Sequence, residues 1–205
     1  MTFQPLRINA AQAVPRHWPG AMQSLSDEAL VGCIAAHNDD ALRVLFARHR
    51  VRIYRFILRF VPDRHLAEDL VSEVFLEIWR HAGRFQARSL ALTWLLAIAR
   101  LKALSARRRR QDETLDQAAT IVDSGDDPEI AIRRKNQSEV LRDCLSRLSV
   151  EHREIVDLIY YHGMSIAEVA DIVGIPENTV KTRMFHARKR LSGLLATAGV
   201  DASPP

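Results

Sequence analysis

A chain of 205 residues with net charge +4, 47% hydrophobic residues and 6% aromatics has room for one domain or two small ones, packs aliphatic cores, and admits an anionic partner without proving one. Its two cysteines, Cys33 and Cys144, exclude a disulfide framework or a thiol metal cluster and predict buried thiols in a reducing cytoplasm. No apolar run approaches membrane-spanning length, which predicts no membrane insertion.

Residues 1–23, with Pro5, Pro15 and Pro19 among scattered apolar residues, read as a flexible extension without a signal-peptide core. Ser26 caps a first helix, with Asp27 and Glu28 in its first turn, Leu25 and Leu30 as a hydrophobic staple, and Leu30 and Ile34 facing inward. A second helix runs from about Asp40 to Phe60. Leu42, Leu45, Phe46, His49, Ile53, Phe56, Ile57 and Phe60 keep its apolar rhythm, and His49 reads as a satisfied core histidine. Asp63 caps a third helix from His65 to about Ala82. Leu66, Leu70, Val74 and Ile78 form its core seam. Asp69, Glu73 and Glu77 form an acidic ridge with Leu76 and an exposed Trp79 beside it. Carboxylates four apart repel by a few tenths of a kcal/mol, so the ridge reads either as a docking face for an arginine-bearing protein or as a plain solvated face.

Gly83 to Arg88 is a loop, and a fourth helix runs from about Ser89 through Thr93–Arg100 to Arg110. Ile98 to Arg110 holds six cations and no acid, more than a helix dipole requires and suited to phosphate contact. Gln111 to Glu129 then holds seven acids and no base, with Gly125 and Pro128, and reads as a mobile linker. Helical rhythm resumes over Ile130–Leu148. Ser149 caps a further helix, Val150 to His162, with Ile155, Leu158 and Ile159 inward.

The last segment is the most specific. Ser165 and Glu168 form a capping box, and Met164 and Val169 form its staple. Ile166, Ala167, Ala170 and Val173 form an apolar stripe, and Gly174 stops the helix. Pro176 suits the first turn of the next helix, whose Val180, Met184, Ala187 and Leu191 face inward. Its other faces carry Asn178, Thr179, Lys181, Thr182, Arg183, Phe185, His186, Arg188, Lys189 and Arg190. Five cations against Glu177 exceed what solubility requires, and a helix-turn-helix presents such a helix to the major groove. The plainer alternative is a helical hairpin with a solvated basic face.

Leu66–Trp79 (LAEDLVSEVFLEIW), Thr93–Arg100 (TWLLAIAR) and Leu145–Leu191 together resemble the bacterial sigma factors of group IV, the extracytoplasmic-function type. The resemblance implies an all-α chain of two small modules. Region 2 would cover 24–110, a flexible acidic linker 111–133, region 4 as a helix-turn-helix 134–197, and a tail 198–205. It implies core RNA polymerase (beta-prime clamp helices and beta flap), promoter DNA and an anti-sigma factor as partners. It implies no cofactor, metal, catalytic residue or small-molecule substrate. The polymerase-binding residues would be Asp69, Glu73, Leu76, Glu77 and Trp79. Arg84, Phe85, Gln86, Arg88 and Ser89 would capture a flipped −10 base, and Arg100, Lys102, Arg107 and Arg108 would line the melted strand. Lys181, Thr182, Phe185 and His186 would approach −35 bases, with Asn178 and Thr179 beside them and Arg183 and Arg188 on the backbone. The chain departs from the family pattern at Ser72, Ala91, Leu92, Leu101 and Ser105. The competing reading of the residues is a helix-turn-helix regulator that binds duplex DNA without polymerase.

Overall fold

The computed structural model describes residues 22–113 and 140–199. Every regular element among them is helical, and the chain divides after Arg110 into two compact units. Most of the expected N-terminal extension and linker, the rhythm over 130–139 and the tail beyond Gly199 lie outside the described residues.

In the first unit, α1 (Asp27–Ala35) starts on Ser26, whose hydroxyl accepts the Ala29 N–H. Asp27 ties it to α2 (Asp39–Ile57): one carboxylate oxygen accepts from Arg48 Nη1 at 2.7 Å, and the other lies 2.7 Å from His49 Nε2. His49 is thus buried with a partner, as a core histidine should be. The helix ends at Ile57, short of the expected Phe60, because Leu58–Phe60 turn back on Tyr54, Phe56 and Ile57. Leu30, Val31, Ile34, Leu45, Ile53, Phe56 and Ile57 are fully buried between these helices and their neighbours, each contributing about 1.5–3 kcal/mol. Met22 and Gln23, expected in the extension, belong to this packing: Met22 is buried and the Gln23 carbonyl accepts from Arg48.

Helix α3 (Arg64–His81) is capped by Asp63, which accepts the Leu66 N–H at 3.2 Å. Its core face is wider than one seam, because Ala67, Val71 and Phe75 are buried beside Leu70, Val74 and Ile78. Leu66 is only half-buried. A 3-10 turn, Ala82–Arg84, leads through a short loop to α4 (Ala91–Glu113), which starts two residues later than expected. It continues through Gln111–Glu113, so those three residues are helix rather than linker. Three charged contacts tie α4 down. The Ala91 N–H donates to Glu28 on α1, Lys102 meets Glu73 and Glu77 on α3, and Arg110 meets Asp63 at the start of α3. The helix therefore runs antiparallel to α3.

In the second unit, α5 is described over 140–146 and buries Cys144, whereas Cys33 of the first unit is only half-buried. Ser149 caps α6 (Val150–Val156). The expected single helix to His162 instead widens at Asp157 into a π-helical segment, Asp157–Tyr161. A π turn takes in an extra residue. Burial therefore runs unbroken from Glu154 to Leu158, while Ile159 is half-buried and Tyr160 and Tyr161 turn outward. Asp157 and the buried His162 face each other at 3.2 Å. Gly163 at φ 67 ends the segment, and the Met164 N–H donates back to the Leu158 carbonyl.

The next turn repeats this ending. Helix α7 (Ile166–Val173) carries both bonds of the Ser165–Glu168 capping box and stops on Gly174 in the left-handed region. Its buried face is Val169, Ile172 and Val173, with Ile166 and Ala170 at the margin, and Ala167 points to solvent. The stripe is phased by Ile166, Val169 and Val173, at i, i+3 and i+7, which leaves Ala167 off it. Pro176 is the N-cap of α8 (Glu177–Thr197), not its first helical residue, and its carbonyl accepts the Thr179 and Val180 N–H groups. Val180, Met184, Ala187 and Leu194 are buried along α8, and Leu191 is half-buried.

Candidate docking and nucleic-acid interfaces

The acidic ridge lies on one face of α3. Asp69 and Glu73 are exposed, Glu77 is half-buried, and Leu76 is 46% exposed beside them. Trp79 is not the exposed neighbour expected. It is half-buried, with its ring edge-on to His37 at 5.5 Å, because the α1–α2 turn folds over this end of α3. The carboxylates are also offset from within. Lys102 Nζ lies 3.4 Å from Glu73 and 3.5 Å from Glu77, and His81 Nδ1 lies 3.1 Å from Glu77. Lys102, expected among the strand-lining cations, thus stands on the carboxylate row.

The loop before α4 turns at Ala87, whose φ of 51 lies in the left-handed region. For a non-glycine residue that conformation costs about 1–3 kcal/mol. Arg84, Gln86 and Arg88 are exposed around this turn and Ser89 is half-buried. Phe85 packs its ring against Trp94 at 5.2 Å, so it supports the loop as well as lining it. Along α4, Arg100 and Arg107 are half-buried and Arg108 is exposed, with Leu101 66% exposed among them.

On α8, Asn178, Lys181, Thr182, Phe185, His186 and Arg188 are exposed, while Thr179 and Arg183 are half-buried. Lys181 reaches Glu177 one turn back at 3.6 Å, a contact weak enough for DNA to displace. The Thr182 hydroxyl donates to the Asn178 carbonyl, leaving its oxygen to accept. Phe185 is 63% exposed, an apolar side chain available to a thymine methyl. Glu151 on α6 is held below the usual carboxylate range by its own backbone N–H, then by the Ser149 hydroxyl, with Arg183 adding a smaller charge effect.

Two further contacts escaped the sequence. Arg188 Nε donates to the Tyr160 hydroxyl at 2.8 Å across 28 positions, and Glu28 receives the first N–H of α4. No spacing rule links either pair. No group of three or more metal-ligating side chains occurs among the described residues.

The family description Sigma-70 region 2 matches residues 45–113, and Sigma-70 region 4 matches residues 138–191. The chain is 35% identical over 179 residues to the ECF RNA polymerase sigma factor SigL of Mycobacterium tuberculosis, covering 84% of this chain and 98% of that protein. It is 29% identical over 174 residues to SigK of Mycobacterium bovis, covering 82% and 92%. Two solved structures share its fold at 25% identity. CnrH in complex with the cytosolic domain of CnrY superposes with a TM-score of 0.63 over 83% of this chain and 97% of that one. The sigma factor RpoE with the anti-sigma factor NepR from Bartonella quintana superposes with a TM-score of 0.60 over 74% and 94%. Matches to sigma-70 regions 2 and 4, over the unit with the acidic helix and over the basic helix-turn-helix, and a 35% identical relative covered almost end to end place the chain in the family of extracytoplasmic-function RNA polymerase sigma factors.

Proposed function

We propose that this sigma factor docks on the beta-prime clamp helices of core RNA polymerase through Asp69, Glu73, Leu76, Glu77 and the edge of Trp79. The supporting observation is the carboxylate row itself, which is presented on one rigid helix face and kept in place by Lys102. Region 4 reads the −35 element through Lys181, Thr182, Phe185 and His186, with Asn178 and Thr179 beside them and Arg183 and Arg188 on phosphates. Good bidentate base contacts are worth about 1–3 kcal/mol each. The Arg84–Ser89 loop captures an unpaired −10 base, and Arg100, Arg107 and Arg108 hold the opened strand. Extruding a base costs a few kcal/mol, which the loop pocket and these cations offset. Region 2 covers 22–110 and region 4 about 134–197, with the acidic segment between them as a tether. The nineteen residues Gln111 to Glu129 reach about 60–68 Å when extended, enough for elements roughly 50–55 Å apart. With three of them helical the reach falls by about 6 Å, and it remains sufficient. The chain makes and breaks no bond itself. It works in the cytoplasm with the polymerase, whose beta flap holds region 4, and an anti-sigma protein restrains it.

Run-off transcription with purified core enzyme tests this. The wild-type chain redirects the start site, and the Asp69→Lys/Glu73→Lys double variant loses core binding on the order of 100-fold by co-migration, since reversed charges at an interface cost several kcal/mol. Retained binding by the double variant sinks the docking assignment. Specific duplex binding with no effect on the start site would make the chain a stand-alone regulator.

A further inference from the structure

Among the exposed cations of α8, Arg188 is held by a neighbour from another element. Its Nε donates to the Tyr160 hydroxyl at 2.8 Å, and its guanidinium carbon lies 5.6 Å from the same ring's centroid. Tyr160 is 60% exposed, so hydrophobic burial does not explain where it sits. The π-helical segment does. Its extra residue is closed by the His162 N–H donating to the Asp157 carbonyl, with the Asp157 and His162 side chains facing each other in the core beneath. An ordinary α turn would rotate Tyr160 to a different bearing. π turns concentrate at functional positions because they re-aim a side chain at a cost in helix stability.

We infer that Tyr160 is a positioning residue for Arg188, fixing the guanidinium edge-on so that its other N–H groups face a DNA phosphate. An arginine carries five N–H donors, and the bond through Nε leaves the four on Nη1 and Nη2, the pair of groups that grips a phosphate bidentately. A long side chain loses rotamer freedom when it binds, and a partner that restrains it beforehand lowers that cost. The inference rests on the reading of α8 as the DNA-facing helix.

The test uses the full chain and a labelled 30-base-pair duplex of arbitrary sequence, since a phosphate contact is independent of sequence, with affinity measured across a salt series. Tyr160→Phe keeps the ring and removes the hydroxyl. It weakens binding about threefold to tenfold and leaves the salt slope unchanged, because Arg188 still reaches the phosphate. Arg188→Ala lowers the slope by about one unit. The double variant is no weaker than Arg188→Ala alone. A Tyr160→Phe loss that persists in the Arg188→Ala background, or no loss from Tyr160→Phe at all, overturns the positioning role and leaves the phosphate contact standing. An unchanged slope in Arg188→Ala overturns the phosphate contact, and the positioning role with it.

Discussion

Two helices carry similar runs of positive charge, α4 with six cations from Ile98 to Arg110 and α8 with five from Lys181 to Arg190. They use them differently. In α4, Lys102 and Arg110 reach carboxylates of their own unit, Glu73 with Glu77 and the cap residue Asp63. Part of that charge fastens the helix antiparallel along α3. Helix α8 is seated by an apolar row, Val180, Met184, Ala187 and Leu194. Its Lys181 contact lies within the same helix, and Arg188 meets a neutral phenol. A count of cations therefore overstates the charge that α4 offers an anionic partner, and does so by more than for α8. Both helices are seated by buried apolar residues, Leu95, Leu96, Ala99 and Ala103 in α4 as in the α8 row, and α4 adds cross-helix ion pairs, which salt screens where it does not screen the apolar contact.

The contrast predicts an ordered set of losses. The largest belongs to Lys181→Ala, measured on the −35 sequence that the holoenzyme selects from a randomised library. Losing a base-edge contact costs about 1–3 kcal/mol there and far less on mismatched sequences. An equal loss on every sequence would make Lys181 a phosphate contact and remove one difference between the helices. Next comes a pair of variants within α4. Arg107→Ala lowers the salt slope for a single-stranded −10 oligonucleotide by about 0.7. Lys102→Met leaves that slope alone and lowers the stability of the first unit by about 0.5–1 kcal/mol, the worth of a partly exposed ion pair. If Lys102→Met reduced the slope as Arg107→Ala does, the division of labour within α4 would collapse.

What could be read in advance follows from distance along the chain. The Ser165–Glu168 capping box, the Gly174 stop and the Asp63 and Ser149 caps are decided within four or five residues, so local chemistry predicts them. The acidic ridge was legible because helical spacing alone aligns Asp69, Glu73 and Glu77. The failures are all tertiary. Trp79 lost its expected exposure to His37, from a turn 42 positions earlier. The Lys102 contact with Glu73 and Glu77 has no local signal, because those carboxylates lie on another helix. The π segment lies in a packed core where Asp157 and His162 face each other, and five consecutive buried residues, Glu154 to Leu158, contradict any α periodicity. Tyr160 could not be linked to Arg188 without that segment.

The smallest effect concerns the far end of α4. The Asp63 carboxyl is held below the ordinary carboxylate range, first by the Leu66 N–H it accepts and then by the nearby Arg110 charge. A group with a depressed folded pKa contributes stability that is complete above its unfolded pKa and fades as pH falls through the folded one. The relevant window therefore lies below about pH 4. Asp63→Asn isolates the charge, because asparagine caps a helix about as well as aspartate. The variant's first unit is slightly less stable than wild type at pH 7, and the two converge as the solution is taken towards pH 2, where Asp63 is protonated. Denaturant unfolding at stepped pH reads this directly. The Arg110→Met variant shows the same convergence, since its partner loses charge over the same interval. A difference that stayed constant from pH 7 to pH 2 would mean that the amide caps α3 less well and that the ion pair with α4 contributes nothing, leaving Glu28 and Lys102 as the polar ties of that helix.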